Sequence, residues 1–405
     1  MAGETPSTQP HGERSRASTP WVISAFLLFG ASLAMRFPGV AGLYADGNPP
    51  IMARTWALLN HLRSGTEPFF LVQMLLWWGG IGAISAALGR GQRHGAAALV
   101  LLVGIAPLWL GWATVLLGDA QLACCLVGAS GLLAHWRLDA RREPRWARGL
   151  AILLIAYATL VRGNAAFATI PFVLALFDWP RLPKLWHKAA ALIALIGAVL
   201  VFSPVLNDHI LGARPTGVES KAPLYDMAGP GIAHLNSGLR FWVGPGEPDA
   251  DPPLSSAPNP DGLGAPANPG GEGLIAAAHL MAISPLGWPV VWLVVSAGLL
   301  WASMGLTDPQ PRLGRALAGS ALCMGASFAL VGIGSDLRYY LWSMVAAALA
   351  LVLLLDTRRL DRRRGFVAGG VLVAVIALGT IARLGGAGPA YVPLPQVAPP
   401  PPSAT

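Results

Sequence analysis

Gly149-Leu-Ala-Ile-Leu-Leu-Ile-Ala-Tyr-Ala-Thr-Leu-Val-Arg-Gly-Asn164-Ala-Ala-Phe-Ala-Thr-Ile-Pro-Phe-Val-Leu-Ala-Leu-Phe-Asp178 is an apolar stretch broken once, at Arg162-Gly163-Asn164. As one helix it would run for about 45 Å, well past the ~30 Å hydrocarbon core of a bilayer. As a hairpin of two short helices turning at Arg162-Gly163-Asn164 it crosses twice, and every later loop changes side. The basic loops decide between the two readings. A single crossing puts 181–188 and 358–364 on the outer face, against the tendency of Lys and Arg to stay inside. The hairpin leaves nineteen Lys and Arg inside and nine outside. The sequence therefore predicts eleven helices, with the N-terminus inside and the C-terminus outside.

Working outward from that hairpin, the other apolar stretches fall near 21–35, 69–88, 96–117, 120–134, 189–202, 287–304, 316–331, 340–355 and 366–381. Over the 405 residues, 54% are hydrophobic and only 12% charged, with mean hydropathy +0.55. This composition predicts an all-α polytopic membrane protein of about 11 transmembrane helices, its membrane domain spanning 21–384. The net charge of +8 then divides into a positive inner face and a slightly negative outer one. It is an orientation signal, since the basic residues are dispersed among short flanking loops and not gathered into a nucleic-acid-binding surface.

Residues 1–20 read as a disordered inner segment. Retention of the first helix is expected over cleavage near Ser32-Leu33-Ala34, and Asp46 lies outside in either case. The first outer loop, 37–67, holds a helix at 51–62. Its Ile51, Met52, Leu58, Leu59 and Leu62 form an apolar side, suited to lying on the membrane surface or to packing on the core. The outer segment 207–284 has a Pro/Gly-rich centre, 244–273, that cannot bury a core, and the tail 385–405 reads as disordered for the same reason. The three cysteines, Cys124, Cys125 and Cys323, match neither a disulfide framework nor a zinc site and are expected as packing residues. Trp77, Trp78, Trp109, Trp112, Trp288 and Trp292 are expected at interfacial belts and lipid contacts. His61, His209, His234 and His279 lack metal-ligand spacing.

Soluble nucleotide chemistry is excluded by the absence of a P-loop, of a glycine fingerprint between strand and helix, and of a zinc-protease motif. Asp249-Ala250-Asp251 matches a metal-binding DxD, but in a Pro-rich outer loop without the structural context the motif needs. Polar residues at the outer face carry the functional signal, because ionisable groups in or beside membrane helices are costly. They are Asp46, Asp119, Arg162, Asn164, Asp226, Asp336 and Arg338, with Tyr339 beside the last.

The segments holding them are Phe37-Pro-Gly leading to Tyr44-Ala-Asp46, Gly65-Thr-Glu-Pro68, Gly118-Asp119, Leu160-Val-Arg-Gly-Asn164-Ala, Tyr225-Asp226-Met-Ala-Gly and Asp336-Leu-Arg-Tyr-Tyr340. In order and sidedness this set resembles the GT-C glycosyltransferases, integral-membrane enzymes that take sugar from a polyprenyl-phosphate carrier. The likeness is greatest to the bacterial branch similar to protein mannosyltransferases and aminoarabinose transferases, and it spans residues 36–340 discontinuously. Departures are Glu67-Pro68 where relatives often carry His-Pro-Pro, and Asp46-Gly-Asn where Asp-Ser is common.

The resemblance implies a GT-C-like fold and sugar transfer at the periplasmic face of a bacterial inner membrane, to a lipid, glycan or protein acceptor. It implies Asp46 as general base, and makes Asp119, Arg162, Asn164, Asp226, Asp336, Arg338 and Tyr339 donor-phosphate or substrate residues. A divalent cation at Asp46 or Asp119 is possible, and no other cofactor is implied. Blander roles stand beside these: a turn for Asp46, a helix cap for Asp119, snorkelling for Arg162 and belt aromatics for Tyr339 and Tyr340. Two other functions fit a polytopic chain: a transporter or lipid flippase, and a polymerase or ligase acting on pyrophosphate-linked glycans.

Overall fold

The computed structural model describes residues 11–34, 50–63, 67–138, 143–162, 164–176, 185–206, 210, 269–331, 337–357 and 359–384. These residues are all-helical, in fourteen α-helices without a strand. They are α1 (His11–Ala34), α2 (Pro50–Asn60), α3 (Glu67–Arg90), α4 (His94–Ile105), α5 (Pro107–Ala113), α6 (Gly118–Arg137) and α7 (Arg145–Val161). Then follow α8 (Ala166–Leu176), α9 (Leu185–Val205), α10 (Pro269–Ile283), α11 (Pro289–Ala302), α12 (Pro309–Val331), α13 (Leu341–Asp356) and α14 (Arg362–Leu384). A 3-10 turn, Leu337–Tyr340, leads into α13.

The chain turns back on itself between α7 and α8. Thr159 Oγ1 donates to Thr169 Oγ1 at 3.0 Å, whereas ten residues of straight helix would separate them by about 15 Å. Arg162 leaves the helix in an extended conformation, φ −141° and ψ 143°. Beyond the turn, α8 runs antiparallel to α12, with Asn164 against Ser327 at one end and the Ala168 carbonyl accepting from Ser320 Oγ at 2.6 Å further along. The interruption at Arg162-Gly163-Asn164 is a reversal.

Side-chain bonds fix the direction of the other helices. Gln73 near the start of α3 meets Gln121 near the start of α6, and Arg90 at the end of α3 meets His135 near the end of α6, 2.9 Å from its carbonyl. Gln310 near the start of α12 donates to the Leu353 carbonyl and to Asp356 at the end of α13. The ends of α5, α7 and α12 and the starts of α3, α6, α8 and α13 therefore gather at one end of the bundle. The opposite end is a rim of ion pairs: Arg93 with Asp356 at 3.4 Å, Arg359 with Asp308 at 2.8 Å, and Glu143 with both Arg137 and Arg148.

At the centre lie α6 and α13, whose residues are buried almost from end to end and which pack on each other. Around them stand α3, α4, α7, α11 and α12, and outside these α1, α9 and α14. Close approach of α3 and α6 requires glycine on both sides, since a Cβ on Gly131 would come within 2.5 Å of the Gly80 backbone. The outer helices turn large apolar side chains outward, among them Phe26, Ile193, Phe202 and Phe366. A contiguous apolar exterior around a packed interior is what a lipid solvent selects.

By length and composition, Glu67–Arg90 and Arg362–Ala382 are apolar enough to cross a membrane, and α4 with α5, bent by 58°, together make a third span or a re-entrant segment. The apolar helices Ala17–Leu33, Ala190–Ser203, Pro289–Ala302 and Leu341–Asp356 are shorter. At 1.5 Å per residue they cover about 21–26 Å, less than a full hydrocarbon core.

Several expectations change. Helix α1 begins at His11, well before the apolar run, so the inner segment is helical from that residue. Helix α10 begins at Pro269, within the region read as unable to fold, and packs on α5. All six tryptophans expected at belts or lipid contacts are buried. They carry packing and internal hydrogen bonds: Trp77 Nε1 to the Gly104 carbonyl at 3.1 Å, Trp78 Nε1 to Ser32 Oγ at 2.9 Å, and Trp292 Nε1 to the Leu286 carbonyl at 2.7 Å. The exposed indoles are instead Trp146, Trp186 and Trp301, all at the end that carries the ion-pair rim. Cys124 and Cys125 are buried packing residues, as expected, and all three thiols are free.

Candidate functional site

The site is built where four chain segments end together. Helix α6 opens with Gly118-Asp119, and its N-cap is Leu117, whose side chain makes no capping bond. Asp119 therefore lies in the first turn, where the helix dipole favours a carboxylate. It is directed sideways, to an ion pair with Nη1 of Arg162. The cap reading is replaced by this pairing. Both partners are largely withdrawn from water, with side-chain exposures of 11% for Asp119 and 21% for Arg162. Screening there is weaker than at a surface, and so the pair couples two helices.

Arg162 closes α7 and reaches three more groups. Its Nε donates to Asn164 Oδ1 at 3.2 Å, which bridges the turn. Its guanidinium carbon lies 4.7 Å from the Tyr339 ring centroid and 6.0 Å from that of Phe328, within the range of cation–π attraction. Tyr339 stacks on Phe328 at 5.7 Å between centroids, with 18° between planes, and Tyr340 meets Phe328 at 4.9 Å. Asn164 Nδ2 donates to Ser327 Oγ at 3.4 Å, and Ser327 Oγ donates to the Met324 carbonyl at 2.7 Å. The guanidinium is thus oriented by a carboxylate, an amide and an aromatic face.

Asp119, Arg162, Asn164 and Tyr339 come together from positions that span more than half the chain. Arg338 belongs to the same 3-10 turn as Tyr339. Asp46, Asp226 and Asp336 lie outside the described residues. Tyr339 stacks on Phe328 and Tyr340 packs tilted against it within the protein, and the belt reading does not describe them.

Beneath the site a polar pair holds the segment that leads into α6. Gln73 Nε2 donates to the Ala113 and Val115 carbonyls at 2.5 and 2.8 Å, and its Oε1 accepts from Gln121 Nε2. Both amides are buried. Gln73, oriented by Gln121, donates to carbonyls at the end of α5, where the chain turns toward Asp119. Sequence reading missed Gln73, Gln121, Ser327 and Phe328. A Gln inside an apolar run was the available signal for the first two, and nothing in the sequence distinguishes Phe328 from its lipid-facing counterparts.

Oxygen-rich donor sets suit a divalent cation. Among the described residues the site holds one carboxylate, Asp119, already paired with a guanidinium, and no cluster of three or more His, Cys, Asp or Glu occurs there. Asp46, the other residue read as a cation ligand, lies outside the described residues, and no chemical step is routed through a cation. No protein-family model matches the sequence, and no curated protein and no solved structure matches it either.

Proposed function

We propose that the chain is a membrane glycosyltransferase of the GT-C type, moving one sugar from a polyprenyl-phosphate carrier to an acceptor hydroxyl at the outer face of a bacterial inner membrane. The observation that supports this most is the convergence of Asp119, Arg162, Asn164 and Tyr339 at one end of the bundle. Asp119 is buried there, and Glu143, whose side chain is 5% exposed, is ion-paired at the opposite end. A translocation path would instead place ionisable groups near the bilayer midplane, and this weighs against transport.

In the proposed reaction the acceptor hydroxyl attacks the anomeric carbon while its proton passes to the Asp46 carboxylate. The bond from the anomeric carbon to the carrier phosphate breaks, and the phosphate leaves with the electron pair. A single displacement inverts the anomeric configuration. The leaving phosphate needs positive charge in a fixed geometry, and a guanidinium supplies it through a bidentate fork. Arg162 is assigned that task, with Asp119 holding the fork in place before the donor arrives and Tyr339 beside it, and Arg338 is assigned to the donor phosphate as well. Asp226 and Asp336 are assigned to the substrate region.

Purified Asp46→Asn protein, inserted normally and melting with the wild type, is expected to lose transfer to acceptor. Full transfer by that variant removes the base assignment. Vesicles that take up or flip the lipid without transferring sugar would establish the transport reading, and turnover of pyrophosphate-linked donors alone would establish the polymerase or ligase reading.

A further inference from the structure

A groove of about 410 Å³ runs between α1 and α3 on the outside of the bundle. Its walls are apolar, with Val22, Phe26 and Phe29 on one side and Leu75 on the other. The two helices touch beside it at Gly82, where a Cβ would come within 2.7 Å of Ala25. At the deep end Trp78 forms a floor, its indole fixed by the hydrogen bond to Ser32. At the other end the lining changes character to Arg90 and His135. The Arg90 guanidinium is held there by the His135 carbonyl at 2.9 Å and lies 3.4 Å from His135 Nδ1.

The dimensions match half a bilayer. From Leu75 to Arg90 the helix rises about 22 Å at 1.5 Å per residue. One leaflet offers about 15 Å of hydrocarbon and roughly 5–7 Å of headgroup region. The groove belongs to the end that carries the Arg-rich ion-pair rim and the exposed Trp146, Trp186 and Trp301. A slot that is apolar for the depth of an acyl chain and cationic at headgroup height is complementary to an anionic amphiphile.

We propose that the groove between α1 and α3 is a binding site for one acidic phospholipid of the leaflet at the Arg90 end, its acyl chain lying along Phe26 and Phe29 and its phosphate region at Arg90 and His135. The site rests on membrane insertion alone and is independent of the transferase reading. It lies at the opposite end of the bundle from Asp119 and Arg162.

Two substitutions separate head from tail. Arg90→Gln removes the charge and keeps a donor for the His135 carbonyl. Gly79 lines the groove and has nothing within 4 Å of an added Cβ, so Gly79→Leu projects its side chain into the slot from an unobstructed Cβ. The full-length protein is reconstituted with equal phosphatidylglycerol and phosphatidylcholine, extracted in mild detergent, and the retained lipid is counted by mass spectrometry. Wild type is expected to retain phosphatidylglycerol preferentially, at about one molecule per chain. Arg90→Gln should lower that preference about fivefold, as expected for one basic residue at the surface, and Gly79→Leu should retain less of both lipids. The proposal is overturned if wild type retains no lipid or retains the two equally. It is equally overturned if Arg90→Gln keeps the wild-type preference, or if Gly79→Leu, melting with the wild type, carries as much lipid.

Discussion

Arg162 is the residue on which the site turns, because among the described residues it is the one that touches the carboxylate, the amide and the aromatic stack together. Replacing it by Lys keeps the charge and loses the planar fork. Arg162→Lys is expected to fold and to lose tenfold or more in turnover, measured as sugar transfer per inserted protein. Wild-type turnover in that variant would reduce Arg162 to a point charge. The ion pair itself is tested by a double-mutant cycle on Asp119→Asn and Arg162→Gln. A coupling of about 1–3 kcal/mol is expected from thermal or denaturant unfolding in detergent, since the pair is mostly withdrawn from water. Additive losses would mean that the two groups do not sense each other. Tyr339→Leu should cost about 1 kcal/mol through the lost cation–π contact, measured by the same unfolding. Arg162 and Asn164 were legible in the sequence because a charge and an amide in an apolar run are costly. Phe328 was not, because aromatic residues in such a run are ordinary whichever way they face.

At the scale of the element, the break in the stretch from Gly149 to Asp178 carried the topology, and the Thr159–Thr169 bond displays the reversal that charge counting had required. The polar clamp under α6 was not readable. Gln73 matters because the Ala113 and Val115 carbonyls reach it from the end of α5, and the sequence does not reveal where tertiary packing ends that short helix. Gln73→Leu leaves the Ala113 carbonyl and the Gln121 amide without their amide partner in a buried setting, while the Val115 carbonyl keeps the Leu117 N–H. A loss of about 2–4 kcal/mol is expected in detergent unfolding, at about 1–3 kcal/mol per unsatisfied group with partial relaxation. A variant as stable as wild type would show that water or backbone adjustment replaces the amide. The tryptophans taught the opposite lesson. Their abundance suggested belts, yet large rings near helix ends also fill the gaps where shorter helices converge, as the edge-on contact of Trp109 with Trp292 at 5.2 Å does.

For the whole molecule, composition alone fixed the helical class, and the inward and outward faces followed from packing. Buried α6 is rich in small residues and buried α13 in Leu and Ala, whereas α1, α9 and α14 turn Phe26, Ile193 and Phe366 to the exterior. The gathering of distant polar residues could only be posed as a question from sequence, since it depends on which helices are neighbours. The proposed donor chemistry is tested most directly by release of polyprenyl phosphate from a panel of polyprenyl-phosphate sugars, using purified protein in lipid and comparing wild type with Arg162→Ala and Asp46→Asn. Wild type is expected to release the carrier from at least one donor, with both variants reduced by at least tenfold. Absence of release by correctly inserted wild type across the whole panel would contradict the transferase account.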